Sequence, residues 1–352
     1  MTSMKIKTLL LFLFFTGAYA QNAADAKKLV NEGVVLHDKG DYSGAIDKYS
    51  KALEVDKDNL LALTEKAMSL NTAGKYDEAI NVSKHAISVH PNGELENVYV
   101  SYANSLDHLK RTDEALKIYD EGIDKFPNYY QLYFNKGICY ANSNKPDEAI
   151  LCFQKSILIS PKHAGSLNAI GILEMSDHRI PSILAFSRFL IVEPQTSRSK
   201  KNLERLKSLF QQGVTQTGEK AINITISSNM LSDSTGIKKE NDFSQTDLIL
   251  SMASGLDFDK KNSKKTEVEN FIRKFEVICA SLEETKKDNF GFYWENFAPY
   301  FIEMKNKKFI EAFAYIAFVD SDSEDVVKWH KKNQGELDKF YNWSKDYNWK
   351  NK

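Results

Sequence analysis

The chain has 352 residues, which is enough for two domains, and a formal net charge of -1 at pH 7. Charged residues make up 27% of it and hydrophobic residues 42%, as is typical of a globular protein. The near-neutral balance argues against nucleic acid as a partner, because phosphate binding requires a basic surface.

The first segment has the three parts of a secretory signal peptide. Lys5 and Lys7 precede an apolar run at 9–15, and an Ala-Tyr-Ala sequence at 18–20 supplies small residues for cleavage. The run is too short to span a bilayer as an anchor. We therefore predict a signal peptide at 1–20 and an exported protein, periplasmic or secreted, with no integral membrane segment after cleavage.

A short sequence motif then recurs about every 34 residues. Its four copies are GDYSGAI at 40–46, GKYDEAI at 74–80, RTDEAL at 111–116 and KPDEAI at 145–150. A period of this length is typical of stacked helical pairs, because one pair buries its apolar face only against the next. The repeated Asp-Glu residues indicate the first turn of a helix, where acidic side chains favour the helix dipole.

In the residues around this motif the chain resembles the tetratricopeptide repeat (TPR) family. Each unit of that family has a small residue in helix A, then a small residue, an aromatic and another small residue in helix B, often followed by proline. The residues at these places are Gly33, Ala45, Tyr49 and Ala52 in repeat one; Ala67, Ala79, Ser83, Ala86 and Pro91 in repeat two; Ala103, Ala115, Tyr119, Gly122 and Pro127 in repeat three; and Gly137, Ala149, Phe153, Ser156 and Pro161 in repeat four. The resemblance implies an all-α solenoid of helical hairpins that pack closely at the small residues.

A fifth unit is degenerate. Gly171 keeps its place in helix A, but Ile183 stands where helix B has its small residue, and Pro194 comes one position early. Residues 197–212 carry apolar residues at helical spacing among Lys and Arg, which predicts a polar capping helix for the end of the stack. We therefore predict a repeat domain over residues 24–212.

A polar linker with short elements is predicted at 213–265. The alternating residues 222–226 indicate a strand without an evident partner. Residues 244–256 indicate a short helix that ends at Gly255.

The segment 266–352 is predicted to be a small, aromatic-rich helical domain. Thr266 and Glu269 have the spacing of a capping box, and four helices with apolar faces follow. The apolar positions are Val268, Phe271, Ile272, Phe275, Ile278 and Leu282 in the first helix; Trp294, Phe297, Phe301 and Met304 in the second; Phe309, Phe313 and Ile316 in the third; and Val326, Trp329, Leu337 and Phe340 in the fourth. We expect Trp294 and Trp329 in the core, and Trp343 and Trp349 exposed as secondary contact residues.

The cysteines and acidic clusters carry no clear chemistry. Cys139 and Cys152 fall on the two helices of repeat four, where we interpret them as small buried residues, with a disulfide as the alternative. The acidic cluster at 320–325 lacks the Gly and the bidentate Glu of a calcium loop. No nucleophile motif, zinc spacing or phosphate-binding loop is visible, so we predict no enzyme, no cofactor and no metal site.

The resemblance implies that helix A residues line a concave binding groove. The groove positions are Val30, Val34 and His37 in repeat one; Thr64, Met68 and Asn71 in repeat two; Val100, Asn104 and Asp107 in repeat three; and Phe134, Ile138 and Asn142 in repeat four. Apolar residues mixed with amides suit an extended peptide or a helix, whose backbone Asn71, Asn104 and Asn142 would hold. The alternative is that the C-terminal helices of the chain fill part of the groove.

These features predict an exported, non-enzymatic protein-protein interaction scaffold that binds a protein or peptide partner, in an envelope assembly or transport complex. The alternative is a carbohydrate- or cell-wall-binding protein that uses the aromatic C-terminal domain, because exposed aromatic rings stack on sugars. The sequence does not identify the partner.

Overall fold

The computed structural model describes residues 23–218, 221–225, 239–321 and 323–349. The chain divides into two compact units, and the boundary lies between Ile159 and Ser160. The predicted signal peptide at 1–20 lies outside the described residues, and the predicted domain boundaries at 212/213 and 265/266 stay predictions. In the described part, helices that are both long enough and apolar enough to cross a membrane are absent.

The first unit is a series of helical hairpins, in which odd-numbered helices are helix A and even-numbered helices are helix B of each repeat. Its helices are α1 (23–38), α2 (Tyr42–Val55), α3 (Leu60–Thr72), α4 (Tyr76–Val89), α5 (Glu96–His108), α6 (Thr112–Lys125), α7 (Tyr130–Asn142) and α8 (Pro146–Ile159). Each helix packs against the next one in sequence from α2 to α8. The predicted all-α hairpin stack is therefore confirmed.

One turn geometry reverses the chain between helix A and helix B in the first four repeats. A single residue in each turn has left-handed backbone angles: Gly40, Gly74, Lys110 and Asn144, with φ between 56° and 83°. The amide after it donates to a carbonyl five residues earlier, for example from Asp41 to Leu36 at 2.9 Å. This bond is the helix ending of a Schellman motif, and it orients helix B against helix A.

The small residues lie where the helices touch, as predicted. The small residues that open the helix B pattern in repeats one to four, Ala45, Ala79, Ala115 and Ala149, have no exposed surface. A Cβ atom built on Gly33 would lie 2.4 Å from Cε1 of Tyr49, which is shorter than any normal contact between carbon atoms. Glycine is therefore required by the close approach of the aromatic ring of helix B.

The second unit holds the fifth repeat, a short sheet and the C-terminal helices. Its elements are α9 (Ala164–Glu174), α10 (Arg179–Val192), α11 (Ser197–Gln211), β1 (Val214–Gln216), β2 (Ile222–Ile224), α12 (Ser244–Gly255), α13 (Glu267–Thr285), α14 (Phe292–Asn296), α15 (Ala298–Asn306), α16 (Ile310–Ala317), α17 (Glu324–Lys332) and α18 (Gln334–Asp346). Helix α10 is buried on all sides from Arg179 to Ile191 and contacts α9, α11, α12 and α16. It is therefore the central helix of this unit.

The small residue of helix B in repeat five is Ser182, so the interpretation of Ile183 as its replacement is wrong. Helix α10 begins eight residues after Gly171, whereas α8 begins nine residues after Gly137. Ser182 is buried and donates a hydrogen bond to the carbonyl of Gly171 at 2.7 Å. The turn is thus one residue shorter than in repeats one to four, which also accounts for the early Pro194.

The strand predicted at 222–226 is observed at Ile222–Ile224, and it has a partner that the sequence did not reveal. It pairs in antiparallel fashion with β1, with Val214 opposite Ile224 and Gln216 opposite Ile222. The predicted helix at 244–256 is confirmed as α12, which packs on both strands.

Two of the predicted C-terminal helices are interrupted. The capping box of Thr266 and Glu269 is present at the start of α13. The second predicted helix breaks at Phe297 between α14 and α15, because Pro299 has no amide hydrogen to donate to a preceding turn. The fourth breaks at Asn333 between α17 and α18.

Candidate functional site

The helix A residues of successive repeats form one continuous face in the first unit. Helix α3 packs on α5, and α5 packs on α7. Of the predicted groove positions, Val30 and Thr64 are buried and Asn142 is exposed, whereas the other nine are half-buried. We call this surface, made of the twelve predicted positions, the A-helix face.

A ladder of polar contacts links neighbouring A helices beneath this face. His37 Nδ1 lies 2.6 Å from Ser69 Oγ, and Asn71 Nδ2 donates to Ser105 Oγ at 2.8 Å. In the next interface the Cys139 thiol donates to Asp107 Oδ1 at 3.3 Å. Each contact joins a predicted groove residue to a small polar residue in the helix A of the following repeat.

The sequence interpretation missed the second partner of each contact. Ser69, Ser105 and Cys139 each follow the small residue of their helix A by two positions, and each is buried. Their signal in the sequence is that repeats two to four all place a small hydroxyl or thiol side chain there. Such partly buried hydrogen bonds fix the spacing of the A helices, since an unpaired partner would lose contact with water without gaining a protein partner.

Asp107 and Cys139 make the most polar part of the ladder. Burial, assisted by the neighbouring Asp107 carboxylate, raises the pKa of the Cys139 thiol to about 12. The thiol therefore stays protonated and serves as a donor rather than a nucleophile. Cys139 and Cys152 are both free, which does not agree with the disulfide alternative. Cys139 is buried as interpreted, whereas Cys152 is only partly buried.

The three asparagines that were predicted to hold a partner backbone all have intramolecular partners. Asn71 bonds Ser105, and the Oδ1 atom of Asn104 accepts a hydrogen bond from the buried Tyr119 hydroxyl. Asn142, the most exposed of the three, donates to Asp107 at 3.4 Å. Part of their hydrogen-bonding capacity is thus used within the stack, and their contact with a partner stays a prediction.

Apolar side chains occupy much of the remaining accessible surface of the A-helix face. Met68, Val100, Phe134 and Ile138 are all half-buried. The ring of Phe134 rests on the ring of Phe153, with a distance of 5.8 Å between their centroids. The face is therefore a row of partly exposed apolar groups held on rigid helices.

Comparison with known families identifies the repeats. Models of the tetratricopeptide repeat match residues 30–82 and 130–163. The repeats at residues 30–82 and 130–163 are tetratricopeptide repeats. The matched segments lie in repeats one, two and four, and the third repeat has the same turn and packing.

Curated relatives match only part of the chain. The chain is 26% identical over 152 residues to a probable UDP-N-acetylglucosamine--peptide N-acetylglucosaminyltransferase SPINDLY of Hordeum vulgare, covering 42% of this chain and 16% of that protein. It is 28% identical over 113 residues to a STIP1 homolog of Dictyostelium discoideum, covering 32% and 20%. An outer membrane protein assembly factor BamD of Rickettsia prowazekii is 28% identical over 113 residues, covering 28% and 45%. The chain thus spans less than half of each of these relatives.

Solved TPR structures are similar to part of the chain. A thermophilic TPR protein of Thermus thermophilus is 17% identical with a TM-score of 0.46, covering 52% of this chain and 99% of that chain. The pilF protein of Pseudomonas aeruginosa is 18% identical with a TM-score of 0.43, covering 55% and 91%.

The tryptophans outside the TPR repeats pack against other rings of the second unit. Trp294 is buried as predicted, whereas Trp329 is half-buried and stacks on Tyr315 at a centroid distance of 4.2 Å. Trp343 and Trp349 are half-buried too, and both stack on Tyr300. The exposure expected for Trp343 and Trp349 is thus not observed, and their role in partner contact stays a prediction.

Clusters of three or more His, Cys, Asp or Glu side chains that could hold a metal ion are absent from the described residues. The matches to the plant glycosyltransferase relatives are partial and cover only the TPR region of those proteins. A TPR fold is typical of a non-catalytic repeat protein.

Proposed function

We propose that the chain is an exported, non-enzymatic TPR scaffold that binds a protein or peptide partner on its A-helix face. The observation that carries the proposal is the continuity of this face across α3, α5 and α7. Its half-buried apolar side chains stand side by side on helices that the polar ladder holds at fixed spacing. A rigid face loses little conformational entropy when a partner binds.

The chemistry of the face favours a partner with an apolar stripe. Met68, Val100, Phe134 and Ile138 offer apolar contacts, whereas Asn71 and Asn104 already bond within the stack. An amphipathic helix or an extended segment with apolar side chains fits such a surface through anchor residues at regular spacing. Asn142 at the edge is the amide with the most accessible surface for a partner backbone.

Export and an envelope complex are further parts of this proposal. The signal pattern of residues 1–20 supports export. The similarity to a relative named outer membrane protein assembly factor BamD supports an assembly role in an envelope. The partner would then be another exported or membrane-associated protein.

Site-specific photo-crosslinking in the native cell fraction tests the proposal. A photoreactive amino acid replaces Ile138 on α7, or Leu151 on the helix B α8, where the Leu151 side chain is 61% exposed. We expect a discrete crosslinked protein from position 138 and none from position 151. Equal crosslinking from both positions would indicate contact without a preferred face, and crosslinking from 151 alone would reject the A-helix face.

A further inference from the structure

Arg188 is a buried cation in the middle of the second unit. It lies on α10, and only 3% of its surface is exposed. Its guanidinium donates to the backbone carbonyl of Pro161 and, at the long distance of 3.5 Å, to that of Asn296. Neutral carbonyls satisfy hydrogens but do not neutralise the charge.

Aromatic rings take the place of a counter-ion. The guanidinium carbon lies 4.3 Å from the ring centre of Phe297 and 3.8 Å from that of Trp349. Among the described residues, a carboxylate paired with Arg188 is absent. Burial lowers the pKa of Arg188 to about 9, and the nearby Tyr300 and Tyr347 hydroxyls only partly oppose this effect.

A cavity of about 200 Å³ opens beside this cation. Lys162 and Lys345 line it together with Arg188, and Asp and Glu are absent from the described residues of its lining. The wall also includes Ile191 and Trp349, so charge and apolar surface meet in one space. Lys162 donates to the backbone carbonyl of Lys345 at 2.9 Å, which brings the last turn of α18 against the cavity.

The cavity is lined by several hydrogen-bond donors, among them Lys162, Arg188 and Lys345. The buried Tyr300 hydroxyl donates to Ser344 Oγ at 2.7 Å, so the oxygen of Ser344 is used as an acceptor. The indole Nε1 of Trp349 is buried without an acceptor among the described residues. A group of donors around a desolvated guanidinium is the arrangement that a carboxylate complements, because its two oxygens match the planar fork of arginine.

We propose that this cavity binds the carboxylate of a small ligand whose apolar or aromatic body packs on Ile191 and Trp349. The bound anion supplies the charge partner that Arg188 lacks, and the lysines attract it to the mouth of the cavity. A phosphate dianion fits less well, because the apolar wall offers nothing to a group that is hydrated on all sides.

Titration of the full chain with sodium benzoate tests the proposal, with heat release in calorimetry as the signal. We expect saturable binding below about 10 mM benzoate, as fits a weak contact with one buried charge. Lys162→Met and Lys345→Met should each weaken binding by about threefold to tenfold, because both exposed cations attract the anion. The matched control Lys332→Met removes an exposed lysine outside the cavity and should leave binding unchanged.

Benzyl alcohol and inorganic phosphate are the competing probes. Neither should bind as tightly as benzoate, since one lacks the charge and the other lacks the apolar body. Arg188→Gln should abolish benzoate binding, provided that circular dichroism shows a folded chain. If this variant does not fold, the benzoate affinities of Lys162→Met and Lys345→Met test the proposal. The absence of saturable benzoate binding, or equal affinity in Lys345→Met and Lys332→Met, would overturn the proposal.

Discussion

Replacement of Gly137 by alanine should destabilise the repeat stack, although alanine is the better helix former. The Cβ atom would lie 2.7 Å from Cε1 of Phe153 and about 3.0 Å from two further ring atoms. Phe153 has no exposed surface, so its ring has no open space to enter. Helices α7 and α8 would have to separate.

The expected loss follows from two opposing effects. Overpacking of a buried contact costs roughly 1–3 kcal/mol. Alanine in place of glycine inside a helix contributes about 1 kcal/mol in the other direction. We therefore expect Gly137→Ala to lower the free energy of unfolding by up to about 2 kcal/mol.

Urea unfolding followed by far-UV circular dichroism measures this loss. All four tryptophans lie in the second unit, so tryptophan fluorescence reports on that unit separately. The variant Phe153→Leu provides the control, because the methyl group added at position 137 has room beside the smaller side chain. The double variant should be more stable than the sum of the single effects by about 1 kcal/mol, as contacting residues couple.

A Gly137→Ala chain more stable than the original would refute this reasoning, because helix propensity would then outweigh the contact with the ring. So would strict additivity with Phe153→Leu, because the two residues would then not be in contact. Either result would mean that helix propensity, not the approach of the aromatic ring, governs this position.

Three other predictions concern backbone strain, pH and buried charge. Asn144 has a φ of 56°, a left-handed conformation that glycine adopts more readily. Asn144→Gly should therefore raise the free energy of unfolding, measured by urea titration, by about 0.5–1 kcal/mol. An unchanged free energy would argue against backbone strain in this turn. Burial lowers the pKa of His163 below its ordinary value of 6.5, and its ring accepts from the Ser166 amide at the start of α9. Because the folded state prefers the neutral ring, thermal stability should fall as the pH drops through 6.5 towards the lowered pKa. His163→Asn should reduce this loss of stability at low pH. If the pH dependence of thermal stability were the same in His163→Asn, the contribution of His163 would be contradicted. Asp257→Ala should destabilise the second unit by about 3–5 kcal/mol, measured by unfolding followed through tryptophan fluorescence. The reason is that Asp257 accepts a hydrogen bond from the buried Lys274 at 2.7 Å, so the variant leaves a buried charge without this partner. Adding Lys274→Met to this variant should recover part of the lost stability.

The sequence predicted the first four repeats in register because a few local rules determine them. The distance from the helix A small residue to the turn is constant, and a left-handed residue follows it by seven positions in each repeat, from Gly40 to Asn144. In repeat five the turn is one residue shorter. A shift of one residue rotates helix B by about 100°, so the small position moved from Ile183 to Ser182. The early Pro194 was the visible sign of this deletion.

Other features depend on contacts that a single sequence does not display. The ladder from His37 to Cys139 requires knowledge of how neighbouring A helices approach each other. The pairing of β1 with β2 joins the predicted strand to the segment Val214–Gln216, whose sequence shows no strand pattern. The sequence did not reveal the helix breaks at Phe297 and Asn333. The helices on both sides of each break bury apolar side chains, so the apolar spacing continues through the break. Pro299 was a local signal for the first break.

We propose that the partner binds to the A-helix face. The most direct test of this proposal is the affinity of the full chain for the crosslinked protein, measured by calorimetry for Ile138→Glu and for Leu151→Glu. A charge placed on the apolar face should weaken binding by at least about tenfold, whereas the same charge on the exposed side of α8 should change it little. Equal affinity of the two variants, with both chains folded by circular dichroism, would contradict partner binding on the A-helix face.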